Sequence, residues 1–314
     1  MKIYIHTLLN ATEKQLLINA LPPEKGYQLS FGDALLPENR KETFLEASVC
    51  MGNVPLDWAE ESTQLQWLQL HSAGLDPYQK LSHSRFPITH LKGFFGQSVA
   101  ETAVAGIMAV YRGIDRLSVL QTQNHWVGGS IRPSLHLLFR KKVGILGNGA
   151  IGQTVAKILK GFDCDIKIFS RTAIEGEVWS WADIGDYLPE LDILVACLPE
   201  TTETIGLIDE AFLNQMKKEA LFVNVGRGSA VDEPVLIEKL QTGAIAGAVL
   251  DVTVEEPLPE NHVLWNMPNV LLTQHSSGGW AEENADKVKV FLNNLQRFEN
   301  NEPLENIADL AKGY

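Results

Sequence analysis

The chain has 314 residues, 45% of them hydrophobic and 21% charged, a composition that suits two globular domains with a sizeable core. Its formal net charge of −13 excludes nucleic acid and anionic membrane as expected partners, because both select basic surfaces. No apolar run approaches the roughly 18 residues that a membrane span needs.

The opening MKIYIH goes straight into strand-like alternation without a signal-peptide pattern, so a cytoplasmic address is expected. Cys50, Cys164 and Cys197 are odd in number and far apart. They read as reduced core residues, since neither a disulfide framework nor a zinc spacing is present, and no metal is expected.

Residues 1–97 predict a small α/β unit with strands over 2–6, 47–51 and 66–71 and a helix over 13–20. The last of these strands runs into His71-Ser72-Ala73-Gly74-Leu75-Asp76, a polar loop whose backbone NH groups could face a ligand. Ser98 is expected to open a long helix through a capping box with Glu101. Its apolar face runs through Val104, Ile107, Met108, Tyr111 and Ile114, and Ala103, Ala105, Gly106 and Ala109 keep it thin. Residues 121–141, with Trp126, Gly128, Gly129 and Pro133, form a long irregular segment of the functional or interfacial kind.

From Lys142 the pattern changes to strand, glycine turn, helix, strand. The turn is Gly147-Asn148-Gly149-Ala150-Ile151-Gly152, and a dinucleotide needs glycine at three of its positions. Gly147 allows the tight turn, Gly149 lets a pyrophosphate approach the backbone, and Gly152 lets the helix lie close to the sheet. NH groups at the helix start then bind the phosphates, helped by the helix dipole. In NAD enzymes an acidic residue about twenty positions past the glycines binds the ribose. Here Ser170, Arg171 and Thr172 hold that place, and a hydroxyl with a guanidinium suits a 2′-phosphate, so NADP is favoured over NAD. The bulk negative charge cannot attract an anionic cofactor. Arg171, Arg227 and the helix start must do so locally.

Six strands are predicted in this half, over 143–146, 165–169, 193–197, 221–225, 246–251 and 270–273, alternating with helices as a doubly wound parallel sheet requires. Asp209 and Asp232 read as helix caps and Gly243 as a helix stop. The expected division is therefore a substrate domain over 1–97, completed by about 285–314, and a dinucleotide-binding (Rossmann) domain over 98–284. A final helix over 282–299 is long enough to return to the first domain.

Parallel sheets bind ligands at the carboxyl ends of their strands. Past three consecutive strands stand Arg227 between two glycines, Asp251 with Glu255 and Glu256, and His275. That set can reduce a 2-keto acid: a cation grips the carboxylate, a histidine supplies a proton, and a carboxylate favours the protonated histidine.

With these residues in place the chain resembles the D-isomer-specific 2-hydroxyacid dehydrogenases, in their glyoxylate and hydroxypyruvate reductase-like branch. The resemblance runs through HSAGLD at 71–76, SVAE at 98–101, KVGILGNGAIG at 142–152, LPETTETIGLI at 198–208, NVGRGSAVDE at 224–233, LDVTVEEPLP at 250–259, TQHSSGG at 273–279 and the closing GY at 313–314. It implies that Arg227 orients the substrate, that His275 is the acid and base, and that Glu256 is its charge partner. It also implies that the backbone at Ala73 and Gly74 binds the substrate carboxylate and that Asp251 contacts the nicotinamide side. Leu198, Pro199, Thr204, Val225, Gly226 and Gly278 are the further cofactor contacts it implies.

The resemblance further implies a flavodoxin-like fold for the substrate domain, a cleft that closes over the reactants, and a homodimer formed through the nucleotide domain with the arm around 121–140. Two positions depart from the family pattern. Gln274 replaces the usual proline, which is expected to move the His275 backbone slightly, and Thr253 replaces an aromatic. Glu256 stands where formate dehydrogenases carry glutamine, which speaks against formate as substrate. The alternative function is a dinucleotide-sensing protein of the corepressor type. Which 2-keto acid is reduced, and in which direction the reaction runs, is not written in these motifs.

Overall fold

The structure, a computed structural model, describes residues 1–310, so the Gly313-Tyr314 pair lies outside it. The described residues form two compact units, one of Met1–Phe94 with residues 280–310, the other of Phe95–Gly279. Among the described residues no helix is long and apolar enough to cross a membrane.

The first unit is built on five parallel strands: β1 (Lys2–Ile5), β2 (Gln28–Phe31), β3 (Val49–Met51), β4 (Trp67–Gln69) and β5 (Ile88–Thr89), in the order β2-β1-β3-β4-β5. β3 and β4 are buried throughout, as strands covered on both faces must be. One face packs Tyr4, Cys50 and Leu68 against Phe44. The other packs Ile3, Val49 and Trp67 against Val288, Phe291 and Leu295 of the helix Glu283–Glu299. The Trp67 indole stacks on Phe291 at 5.2 Å. Its Nε1–H donates to Thr89 Oγ1 at 2.8 Å, the Thr89 hydroxyl donates to Gln69 Oε1, and Asn294 Nδ2 donates to the same oxygen at 3.0 Å. These buried polar groups are satisfied by one another, which fixes the rotation of the helix on the sheet. The short strands β2 and β5 lay outside the sequence expectation. β2 is a partly exposed edge, and β5 has only two residues.

His71 follows β4, and its Nδ1 lies 3.1 Å from Thr7 Oγ1. Burial, and then the charges of Lys287 and His6, push its pKa down from 6.5 to about 4. The unfolded chain therefore binds more protons than the folded one between these values. The stability from keeping His71 neutral is fully present above about pH 6.5 and lost as the pH falls toward 4, a loss on the order of 3 kcal/mol. Denaturant titrations across this window should show that loss in the wild type and a flatter profile in His71→Gln.

The second unit holds seven parallel strands: β6 (Lys142–Leu146), β7 (Asp165–Ser170), β8 (Val178–Ser180), β9 (Ile193–Ala196), β10 (Leu221–Asn224), β11 (Gly247–Leu250) and β12 (Val270–Leu272). Their order is β12-β11-β10-β9-β6-β7-β8. The expected doubly wound sheet is formed, with one strand more than the six predicted. β8 is the addition, a three-residue edge strand on β7. Asp209 and Asp232 cap helices through their carboxylates, and Gly243, at φ 68°, ends the second of these as anticipated. Winding reverses between β6 and β9, and the crevice at the carboxyl ends of these neighbours is where such sheets take ligands.

The long helix is Gly96–Arg112, beginning two residues before the predicted Ser98. Ser98 does not cap it. Its hydroxyl donates to the carbonyls of Phe95 and Gly278, at 3.2 and 3.1 Å, while Gln97 Nε2 takes the Glu101 carboxylate, so no capping box forms. Gly113, at φ 65°, stops the helix, and Ile114 starts a separate one, Ile114–Thr122, on which it is exposed. Gly106 is required by packing, since a Cβ there would lie 2.6 Å from Val249 Cγ1 of β11. The segment predicted as irregular carries a 3-10 turn at Gly128–Ser134.

Candidate active site

β6 runs into Gly147, whose φ of 113° belongs to glycine and whose absent Cβ would press on the Cys197 carbonyl at 2.8 Å. A Cβ on Gly152 would stand 2.0 Å from Gly147 O. At Gly149 the reason differs: a Cβ would meet nothing within 4 Å and would instead project into open space at the start of the helix Ala150–Lys160. The first turn of that helix carries no acidic residue, and its leading NH groups have no intrahelical acceptor. Among the described residues no acceptor takes the NH groups of Asn148 and Gly149. This open, donor-rich cradle fits the diphosphate of a dinucleotide, with Ala150 and Ile151 supplying further NH groups.

The turn after β9 walls one side of the cradle. Leu198 is buried, and Thr204 is buried with its hydroxyl donating to Pro199 O at 2.6 Å, so Thr204 closes the turn from inside. Val225 is buried after β10, and Gly226 lies against Leu198 so closely that a Cβ would fall 2.5 Å from its carbonyl. At the end of β7 the Ser170 hydroxyl donates to Thr172 O at 2.7 Å. Arg171 reaches across to the β9 turn, where its Nη1 donates to Glu203 Oε2 at 2.8 Å. Sequence reading had not singled out Glu203, because its value lies in a partner 32 positions away.

Three loops carry the predicted triad. After β10 the Asn224 side chain fixes the Arg227 loop, its Nδ2 donating to Arg227 O at 3.0 Å and its Oδ1 accepting from the Gly226 NH at 3.1 Å. Gly228 is in contact with the next loop: a Cβ would lie 2.0 Å from Thr253 O. That next loop, after β11, places Glu256, whose Oε1 accepts from the Thr253 NH at 3.1 Å. The Val254 NH donates to Glu233 Oε2 at 3.0 Å, tying the loop to a helix. After β12 stands His275, half exposed, with its Nδ1 2.6 Å from Glu256 Oε2. This contact fixes the ring and leaves Nε2 on its opposite edge. His275 and Glu256 border a cavity of about 380 Å³ with Leu250, Trp265, Leu272 and Gln274.

Asp251, which the resemblance placed on the nicotinamide side, is buried beneath the histidine turn. Its carboxylate accepts from the Thr273 hydroxyl at 2.6 Å, from the NH groups of Ser276 and Ser277 at 3.1 and 3.2 Å, and from the Ser277 hydroxyl. This brace holds a turn in which Gln274 and His275 both have left-handed backbones, at φ 56° and 54°. Proline is locked near φ −65°, so it cannot occupy position 274 in this turn. Gln274 thus permits a turn that proline at this position would forbid. Gln274→Pro should lower turnover about tenfold or more by re-aiming His275, following the steep dependence of rate on placement of the reacting groups. Steady-state kinetics beside a circular dichroism spectrum of the folded variant check this. Gly278 follows, with its carbonyl taken by Ser98.

In the first unit the loop of Ala73 and Gly74 is braced from within. Asn53 accepts from the His71 NH at 2.9 Å and donates to Ser72 Oγ, which donates to Gly74 O. Burial lowers the His90 pKa, and its neutral ring donates from Nδ1 to Ala73 O at 2.8 Å. The NH groups of Ala73 and Gly74 meet no acceptor among the described residues. Asn53 and His90 were missed. A Gly-Asn pair directly after β3 was the one local signal for the first.

The family model of D-isomer specific 2-hydroxyacid dehydrogenase, NAD binding domain, matches residues 104–277, more than half of the chain. The chain belongs to the D-isomer specific 2-hydroxyacid dehydrogenase family. This dehydrogenase is 31% identical over 226 residues to glyoxylate/hydroxypyruvate reductase A of Escherichia fergusonii, covering 70% of each chain. Its fold matches a D-isomer specific 2-hydroxyacid dehydrogenase family protein from Aeromonas salmonicida with a TM-score of 0.85 at 28% identity, over 98% of this chain and 99% of that one. A family member from Xanthobacter autotrophicus solved with NADPH and MES aligns with a TM-score of 0.79 at 27% identity, over 100% of this chain and 99% of the other. The chain is accordingly an NAD(P)-dependent oxidoreductase that interconverts 2-keto and 2-hydroxy acids.

Proposed function

We propose that this dehydrogenase reduces a small 2-keto acid of the glyoxylate or hydroxypyruvate kind to the D-2-hydroxy acid, with NADPH preferred over NADH. The observation that carries the reading is the 2.6 Å contact between His275 Nδ1 and Glu256 Oε2, in a loop set that also presents Arg227. NADPH, when bound, supplies the hydride that reaches the carbonyl carbon. His275 gives its Nε2 proton to the carbonyl oxygen, and Glu256 holds the ring so that this edge faces the oxygen. Arg227 grips the substrate carboxylate and polarises the carbonyl by charge-assisted hydrogen bonds. Ala73 and Gly74 add backbone donors for the carboxylate, which supports reading the first unit as the substrate domain and the second as the dinucleotide domain.

Asp251 is assigned as the support of the His275 turn. Gly147–Gly152 take the diphosphate, Ser170, Arg171 and Thr172 the 2′-phosphate, and Leu198, Pro199, Val225, Gly226 and Gly278 line the cofactor's path, with Thr204 shaping its wall. A homodimer is supported by the apolar side chains Ile114, Val119, Trp126, Leu137 and Phe139, all exposed on one stretch of the second unit. Three free thiols support the cytoplasm as the compartment. The test is loss of reduced-nicotinamide absorbance with a panel of 2-keto acids, NADPH and NADH in parallel. Turnover of a two- or three-carbon keto acid with NADPH preferred supports the reading. Turnover confined to bulky keto acids, or NADH preferred, contradicts its substrate or its cofactor part.

A further inference from the structure

Arg171 has a carboxylate partner that the cofactor reading leaves without a role. The arginine stands immediately after β7, and Glu203 lies on the turn after β9, so the pair spans the two strand ends that flank β6 and the glycine turn. Both residues are held in position. Ser170 is tied to Thr172, and buried Thr204, next to Glu203, is tied to Pro199. The other carboxylate of the β9 turn, Glu200, accepts from Ser229 Oγ at 2.6 Å, whereas Glu203 accepts from Arg171.

Resting on the reading of Arg171 as the 2′-phosphate group's partner, we infer that Glu203 limits the preference of this enzyme for NADP. The two side chains are about half exposed, 47% and 51%, so water screens their attraction and the pair is a weak one. A 2′-phosphate brings nearly two negative charges and three acceptor oxygens, so it outcompetes one carboxylate for the guanidinium. Once the arginine turns to the phosphate, Glu203 remains well within a Debye length of about 8–10 Å and repels it. With NAD bound no such conflict arises, and the ion pair persists. Glu203 therefore weakens binding of the 2′-phosphorylated cofactor alone, and the arginine's selectivity is lower than its charge would give. The strongly negative chain, with a net charge of −13, offers no compensating field.

Calorimetry with two probes isolates the effect. Adenosine 2′,5′-bisphosphate and adenosine 5′-monophosphate differ only in the 2′-phosphate, so the ratio of their dissociation constants reads that group by itself. In Glu203→Gln the ratio should move about three- to fivefold further toward the bisphosphate, and this gain should shrink as salt is raised to about 0.5 M. Arg171→Ala should bring the ratio close to one. A Glu203→Gln ratio equal to or below the wild-type value, with Arg171→Ala collapsed, overturns the role of Glu203 alone. A wild-type ratio in Arg171→Ala overturns the phosphate reading and the inference with it.

Discussion

His275→Ala is expected to lower kcat by about 10³-fold, within the 10² to 10⁴ that a positioned general acid contributes, while KM for the keto acid and the affinity for NADPH change little. The expectation follows from position. His275 is half exposed after β12, its Nδ1 is engaged by Glu256, and its ring is the proton donor proposed above. Removing it takes away an interaction made in the transition state, which appears in kcat and kcat/KM equally. Stability should be nearly unaffected, because the turn is held by Asp251 through Thr273, Ser276 and Ser277 and not by the imidazole. Stopped-flow and steady-state kinetics with saturating NADPH check the prediction. A kcat within threefold or so of wild type would remove His275 from the chemistry.

Arg227→Ala should lower kcat/KM by about 10²- to 10³-fold, chiefly through KM. A charge-assisted bond to the substrate is on the order of 1.5–3 kcal/mol, and the carbonyl-polarising contact is lost with it. The Arg227 loop itself should survive the loss of the Nη1 bond to Gly226 O at 2.9 Å, since Asn224 holds its backbone and Gly228 seats it against Thr253. Arg227→Lys should recover little, because an ammonium cannot reproduce the planar fork. Kinetics over a range of keto acid concentrations separate the two constants. An unchanged KM with a depressed kcat would move Arg227 from substrate binding to the transition state alone.

Much of this architecture was legible in the sequence, for a physical reason. Strands buried on both faces of a parallel sheet must be continuous apolar runs, and β6, β9, β10 and β11 read as such from Ile145, Val195, Val223 and Val249 outward. The glycine turn was legible because Gly147 and Gly152 are demanded by conformation and contact that other residues cannot meet. Asp209 and Asp232 announced helix starts because short acidic side chains take the leading NH groups. What escaped depends on long-range geometry. β8 is an edge strand of three residues, too short for its Val178 and Trp179 to set up a periodic pattern. The helix starts at Gly96, and the Ser98 hydroxyl is taken by the carbonyls of Phe95 and Gly278 in place of a cap, which local capping rules do not see. The left-handed turn at Gln274 and His275 exists because a buried carboxylate more than twenty residues earlier in the chain binds it from below. Glu203 likewise has meaning through Arg171.

The most direct measurement is isotopic. NADPH carrying deuterium at the transferable position of its nicotinamide C4 is mixed with hydroxypyruvate and enzyme, and the product is examined for deuterium at C2 and for configuration. The account predicts deuterium at C2 of a D-configured hydroxy acid, formed by the wild type and formed about 10³-fold more slowly by His275→Ala. Unlabelled product, an L-configured acid, or tight NADPH binding with no product at all would contradict it.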